Sequence, residues 1–284
     1  MKKTLVALAV LAASGASFAQ VTLSGGYGIG VTSNGTATTV GQTDGSFNLA
    51  VNEDLGGGLK VAVSQTVAFG THGTNTTADG GSLALSGGFG ALKYGNTCAG
   101  RALGEAVVGG AYTFAHAVGG ANGDCRADYQ YVLYTLPSFV SGLTVAARIQ
   151  NNATGTAIAA DGFSAADNGA QLRLNYNVGQ LTSGFYARSN SSELHLAYDL
   201  GVAAVKFGTD TKVASGDKRT EFGVSVPMGN LSLGLGYGKK GAIKGTEVGA
   251  TYALSKRSSV VATYGSFDGA TQDTSTRVKL MHSF

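Results

Sequence analysis

The chain has 284 residues with 45 glycines, 12 tyrosines, 12 phenylalanines, 2 prolines and no tryptophan, and its formal charge is only +3. An apolar share of 43% against 13% charged residues excludes a disordered chain, and glycine without a three-residue period excludes collagen. The small charge excludes a basic nucleic-acid binder, and no uncharged apolar run approaches the ~20 residues of a membrane-spanning helix.

In chain order, the first element is a secretory signal over residues 1–19. Lys2 and Lys3 precede an apolar run from Leu5 to Ala13, and Ser17-Phe18-Ala19 supplies a small-x-small cleavage site before Gln20. Cleavage would remove Lys2 and Lys3 and bring the remaining chain, 20–284, close to neutrality. That remainder reads as one unit.

From residue 20 onward the sequence resolves into short alternating segments separated by Gly, Asn, Asp and Ser turns. The expected strands are 21–31, 45–52, 58–69, 81–87, 89–95, 128–135, 142–150 and 169–178. They continue as 180–189, 192–200, 202–209, 218–226, 230–238, 245–254, 257–266 and 273–284. Sixteen strands are predicted, with fourteen as the alternative if weak segments such as 81–87 and 89–95 are not separate.

The alternation is plain in three places. Leu172, Leu174, Tyr176 and Val178 oppose Gln171, Arg173, Asn175 and Asn177; Leu194, Leu196, Tyr198 and Leu200 oppose Glu193, His195, Ala197 and Asp199. Leu231, Leu233, Leu235 and Tyr237 oppose Ser232, Gly234, Gly236 and Gly238. A soluble sandwich would show the same period. Two further features favour an all-β transmembrane antiparallel barrel. The second face is small or polar throughout, as a water-filled lumen requires, and tight connections (55–58, 87–88, 227–230, 254–256) alternate with longer polar ones (32–44, 71–80, 151–168, 265–272). Tyr176, Tyr198, Tyr237, Tyr252 and Tyr264 fall near strand ends, where aromatic girdles sit.

Residues 96–127 interrupt the pattern. This stretch carries Arg101, Glu105, His116, Asp124 and Arg126, and Cys98 and Cys125 bracket it. A long insertion in a compact domain is usually functional. One reading is a loop, 98–125, folded into the barrel and stapled at its neck by a disulfide, which an exported protein permits. Such a bridge would contribute about 3–4 kcal/mol by the chain-entropy argument. The other reading is an ordinary surface loop with a stabilising bridge or two free thiols.

The chain closes on Thr274, Thr276, Val278, Leu280, His282 and Phe284 along one face, with Asp273, Ser275, Arg277, Lys279, Met281 and Ser283 along the other. The terminal aromatic on the apolar side suits a barrel strand meeting the membrane interface.

Several stretches together resemble the Gram-negative general diffusion porins, particularly smaller members. They are Asn52-Glu53-Asp54-Leu55-Gly56-Gly57-Gly58-Leu59-Lys60, similar to the second hairpin turn, and Gly87-Gly88-Phe89-Gly90 with Leu92-Lys93-Tyr94-Gly95, similar to the pair before the inward loop. The stretch from Tyr131 to Gly142 resembles the strand and turn after that loop, and Leu280-Met281-His282-Ser283-Phe284 resembles the closing strand. The resemblance implies a sixteen-stranded homotrimeric barrel whose third outer loop narrows the pore, with acids on that loop facing arginines on the wall. It also implies that Phe284 is read by the outer-membrane assembly machinery. The chain departs from the pattern at Ser46 and Ala50, where arginines are common, and at Asn96 after Gly95, so part of the family's basic cluster is missing.

By alternation Lys60, Lys93, Arg148, Arg173, Arg188, Lys206, Arg219, Arg277 and Lys279 face the lumen, with Glu193, Asp199, Glu221 and Glu247 on the same face. Lipid exposure of Arg or Lys at the midplane costs about 2–4 kcal/mol, which is why strand charges belong inside. Most would serve as wall residues in salt-bridge ladders. Arg148, Arg173 and Arg188 are the candidates for an anion-attracting wall, and Glu105 and Asp128 for the facing acids; Arg101, Asp124, Arg126, Lys60 and Lys93 complete the candidate pore lining.

The sequence thus predicts an outer-membrane porin passing ions and small hydrophilic solutes by passive diffusion, with a weak anion preference. The alternatives are a substrate-selective channel or, from another class, a barrel enzyme or adhesin. His72, His116, His195 and His282 are scattered without metal-ligand spacing, and Gly25-Gly26-Tyr27-Gly28-Ile29-Gly30 lacks the form of a nucleotide loop. No cofactor and no nucleic-acid partner are expected; the partners are outer-membrane lipid, solutes and ions.

Overall fold

The computed structural model describes residues 19–69, 76–96, 130–150, 169–188, 192–211, 218–268 and 274–284. These form sixteen strands. The first eight are β1 (Gln20–Ser33), β2 (Thr38–Gly56), β3 (Leu59–Phe69), β4 (Thr76–Gly87), β5 (Gly90–Gly95), β6 (Tyr131–Thr135), β7 (Leu143–Gln150) and β8 (Gly169–Val178). The second eight are β9 (Leu181–Arg188), β10 (Ser192–Asp199), β11 (Ala204–Asp210), β12 (Arg219–Met228), β13 (Leu231–Lys240), β14 (Ile243–Ala253), β15 (Ser258–Asp268) and β16 (Thr274–Ser283). Each pairs antiparallel with its sequence neighbours, and β16 pairs with β1, closing the barrel. Closure leaves no sheet edge, so the strands can cross hydrocarbon with their backbone groups paired. The fourteen-strand alternative fails at β4 and β5, which are separate strands joined in a hairpin at Gly87 and Gly90.

This barrel has an apolar outside and a polar inside. Val21, Leu23, Ile29, Leu83, Leu92, Leu172, Leu235, Val248, Val278 and Leu280 are all exposed on the outer surface, while the buried side chains include Arg148, Glu193, Asp210, Arg219, Glu221, Glu247 and Lys279. Burial here means enclosure by the lumen wall. Glycines on the inner face make room for it: a Cβ on Gly184 would lie 2.0 Å from the His195 ring, and one on Gly245 would lie 2.3 Å from Phe267. All five tyrosines expected at the girdles are exposed.

The seam carries its own glycine device. The backbones of Gly25 and Phe284 exchange both hydrogen bonds, at 3.1 and 3.0 Å, and the Phe284 ring lies over Gly25, where a Cβ would come within 2.7 Å of it. An outward glycine therefore seats the terminal aromatic on the strand it closes against. At the turn after β2, Gly56, Gly57 and Gly58 all adopt positive φ (81°, 62° and 82°), and the Asp54 carboxylate accepts from the Gly56 N–H at 2.9 Å. Three consecutive left-handed residues need glycine.

Several expected connections prove to be strand. The polar stretch 32–44 is reduced to residues 34–37, because Val31 pairs with Val40 and Thr32 with Thr39 above a bulge at Thr43. Likewise β4 starts at Thr76, not 81, and β15 continues to Asp268. The alternation of connection length is correspondingly imperfect: β13 and β14 are joined by residues 241–242 alone at the long-loop end. Residues 1–18, and with them the expected signal, lie outside the described residues. So do Cys98, Arg101, Glu105, Asp124, Cys125, Arg126 and Asp128, the loop 98–125, and Asp273.

Candidate functional site

The strand register sorts the lumen charges into rows. One row of direct cross-strand partners runs Leu133, Arg148, Gln171, Arg188 on β6–β9. The next runs Arg173, Tyr186, Glu193, Asp210, Arg219, Lys240 on β8–β13. Period-two alternation places every one of these side chains inward.

The first row and the start of the second form a basic, aromatic wall. The Arg148 guanidinium lies 4.0 Å from the centroid of the Tyr131 ring, and that of Arg173 lies 4.7 Å from Tyr186. Arg173 Nε donates to Gln171 Oε1 at 2.6 Å. Stacking on a ring holds a guanidinium flat without neutralising it, whereas a carboxylate would neutralise it. Among the described residues neither Arg148 nor Arg173 has a carboxylate partner, and Arg148 Nε and Nη2, Gln171 Nε2 and Arg173 Nη2 have no hydrogen-bond acceptor. Arg148 is only 2% exposed. Unpaired donors of fixed orientation on two adjacent strands produce a local positive potential facing the pore.

Beyond this wall the charges pair. Arg188 meets Glu193 at 3.2 Å, and Arg219 contacts Glu221 two residues along its own strand. Asp210, also buried, stands directly between Glu193 and Arg219 in the row. With Arg188, Arg219 and Lys240 standing against Glu193, Asp210 and Glu221, this ladder is close to neutral, so it contributes little net field. The His195 ring stands edge-on to Tyr186, 6.3 Å between centroids.

Half the ring away, Lys279 on β16 reaches across β1 to Asp44 on β2, Nζ to Oδ2 at 2.9 Å. Gly28 and Gly30 lie beneath this bridge: a Cβ on Gly28 would sit 3.1 Å from Asp44 Oδ2, and one on Gly30 would sit 2.8 Å from Lys279 Cβ. A β1 with larger residues here would block the bridge.

Among the sequence-predicted site residues, Arg148, Arg173 and Arg188 lie on the adjacent strands β7, β8 and β9. Lys93 shares their row beyond Leu133, while Lys60 lies apart, exposed beside the turn after β2 and opposite Asp54. Asp199 is likewise exposed at a turn, its carboxylate accepting from Gly201 N–H at 2.8 Å. Sequence reasoning missed Asp44, Asp54, Asp210 and Lys240 on the inner face, so the predicted basic excess is smaller than alternation suggested. It also missed Tyr131, Tyr186 and Gln171, whose inward parity was legible from Arg148 and Arg173.

A family model described as Gram-negative porin matches residues 4–272. Among solved structures, an anion-selective porin from Comamonas acidovorans is similar at 19% identity and a TM-score of 0.69, covering 94% of this chain and 100% of that one. Two mutants of the Rhodopseudomonas blastica porin are similar at 13% and 12% identity with TM-scores of 0.72 and 0.70, each covering 93% of this chain and 100% of theirs. No curated protein sequence matches the chain.

Proposed function

The chain belongs to the Gram-negative porin family, barrels that form diffusion channels in the outer membrane, and from that premise we propose that its water-filled lumen passes small hydrophilic solutes passively with a weak preference for anions. The observation that carries the preference is the Arg148–Arg173 wall, two guanidiniums stacked on Tyr131 and Tyr186 with no carboxylate partner among the described residues. Elsewhere among the described residues Arg188 pairs with Glu193, Arg219 with Glu221 and Lys279 with Asp44, and it is the wall on which this reading rests. One structure that the chain resembles is named an anion-selective porin, which agrees with the reading.

In this proposal residues 98–125 narrow the lumen, with Arg101, Glu105, Asp124, Arg126 and Asp128 at the constriction and Cys98 bridged to Cys125. Residues 1–19 are a cleaved signal, 20–284 form the barrel, and three copies associate. The Phe284 side chain over Gly25 is the closing strand's terminal signal to the assembly machinery. The chain is a channel and not an enzyme in this account.

Planar-bilayer recordings test it. Reversal potentials in a potassium chloride gradient should report chloride as the more permeant ion, and clear potassium preference would overturn the anion reading. Liposome swelling should fall smoothly with sugar size; one favoured sugar would indicate a selective channel instead. Three equal closing steps in a single-insertion trace would report the trimer.

A further inference from the structure

The hairpin joining β1 and β2 stands at the end of the barrel opposite the tight turn of Gly56, Gly57 and Gly58, and its tip is Asn34-Gly35-Thr36-Ala37. Below the tip Ser33 pairs with Thr38 and Thr32 with Thr39. Thr32 Oγ1 and Thr39 Oγ1 lie 2.7 Å apart, and the Thr38 hydroxyl donates to Ser33 Oγ at 3.1 Å. The tip itself is tied by the Asn34 side chain. Its Oδ1 accepts from the Thr36 N–H at 3.1 Å and the Ala37 N–H at 2.7 Å, while the Asn34 N–H donates to Ala37 O at 3.1 Å. The Gly35 N–H takes part in none of these bonds. Gly35 has a φ of 84°, and a Cβ there would come within 2.7 Å of Thr274 Oγ1, so the position needs glycine.

An asparagine carbonyl that accepts from the amide two residues on closes an Asx turn, in which the side chain takes the course of a backbone carbonyl in a β-turn and passes alongside the next peptide nitrogen. Asn34 Cγ is thereby turned toward the Gly35 nitrogen, and Gly35 has no Cβ to hinder its approach. Two N–H donors on Oδ1 draw charge off Cγ and hold the oxyanion that develops on attack. We propose that Asn34 is a site of self-modification. The Gly35 amide gives up its proton to hydroxide, its nitrogen bonds to Asn34 Cγ, and the Cγ–Nδ2 bond breaks, Nδ2 taking a proton from water and leaving as ammonia. One water then opens the succinimide ring at either carbonyl, leaving aspartate or isoaspartate at position 34. The balance is amide plus water to acid plus ammonia, so no oxidant or cofactor enters. Asn34 is the asparagine among the described residues that precedes a glycine; Asn48 and Asn52, on β2, precede Leu49 and Glu53, whose Cβ atoms hinder the same attack. An aspartate at the tip keeps both backbone bonds in charge-assisted form, so the turn holds the product. Its charge stands on the rim of the pore mouth and acts on entering ions over about 10 Å at about 0.1 M salt.

Peptide mass spectrometry tests it. Trypsin leaves residues 20–60 uncut, because Lys60 is the first basic residue after Lys3. The full chain folded in phosphatidylcholine vesicles is incubated at mildly alkaline pH, and fragmentation of that peptide locates each amide converted to acid. Asn34 should convert at least about tenfold faster than Asn48 or Asn52, a barrier lower by about 1.4 kcal/mol. Its rate should rise with pH and exceed the rate in the same chain unfolded in urea, where the turn's donors are gone. N34Q should lose conversion at this position, since its longer side chain must close a larger ring. N34D, which makes the aspartate product directly, should shift the reversal potential toward potassium at low salt and match the unaltered chain at high salt. That shift is read against the unaltered chain and so holds whichever ion the pore prefers. Equal rates at Asn34, Asn48 and Asn52, faster conversion in urea, or an N34D potential identical to that of the unaltered chain at low salt would overturn the proposal. Unheated gel mobility reports that each variant is folded.

Discussion

Replacing Asp44 by asparagine removes the carboxylate that Lys279 reaches across β1. The ammonium is 7% exposed and the carboxylate 32%, with 2.9 Å between them. An exposed pair contributes about 0–1 kcal/mol and breaking a fully buried one costs about 3–5 kcal/mol, so this half-buried bridge should be worth about 2 kcal/mol. A double-mutant cycle of D44N, K279M and the double variant isolates it, because each single change leaves the other group in place. Urea unfolding of protein folded into phosphatidylcholine vesicles gives the free energies; with no tryptophan in the chain, unheated gel mobility or tyrosine emission reports the folded fraction. The expected coupling is about 2 kcal/mol, larger at low salt, where surface screening is weaker. A G30V variant should destabilise by a comparable amount with both charges retained in the sequence, since its Cβ would meet Val278 O at 2.2 Å and Lys279 Cβ at 2.8 Å. A coupling under about 0.5 kcal/mol would refute the assignment of the bridge as a clamp across the seam.

Other outcomes follow from the same geometry. R148Q and R173Q should each lower the chloride-to-potassium permeability ratio in bilayer recordings. The double variant R219Q/E221Q should leave the ratio nearly unchanged, because it removes two charges that offset each other, whereas R219Q alone should destabilise the barrel by about 3 kcal/mol as a buried carboxylate loses a partner. G25L should reduce the yield of compact barrel on refolding, because the leucine occupies the seat of the Phe284 ring; F284A/G25L should not recover it, since Ser46 O lies 2.5 Å from the same Cβ position. Thiol titration of unfolded, unreduced protein should find no reactive cysteine, and two reactive thiols would sink the Cys98–Cys125 bridge.

All sixteen strands were legible because a barrel wall must alternate along its whole length, and the period survives even where side chains are small. Their outer ends were not. Thr38–Val40 and Thr76–Gly80 read as loop because threonine, glycine and aspartate serve both exposed strand and turn. The bulge at Thr43 breaks the alternation that would have exposed Asp44 as an inner-face acid. Asp210 was missed for a smaller reason: β11 runs one residue past the predicted end, and that residue is the buried one. The basic wall was legible in its arginines and not in its character. Parity places Arg148 and Arg173 inside, but only the cross-strand register shows that Tyr131 and Tyr186, rather than carboxylates, lie against them. Gln65 shows the reverse problem, a polar residue on the outer face, explained by its Nε2 donating to the Thr66 and Gly80 carbonyls at the β3–β4 register shift.

The reversal potential of the unaltered chain in a tenfold potassium chloride gradient tests the central claim most directly. An Arg148–Arg173 wall with no carboxylate partner among the described residues predicts a potential of the sign set by chloride, shrinking toward zero in R148Q/R173Q. A potential of the opposite sign, or one that the double variant leaves unchanged, would contradict the account.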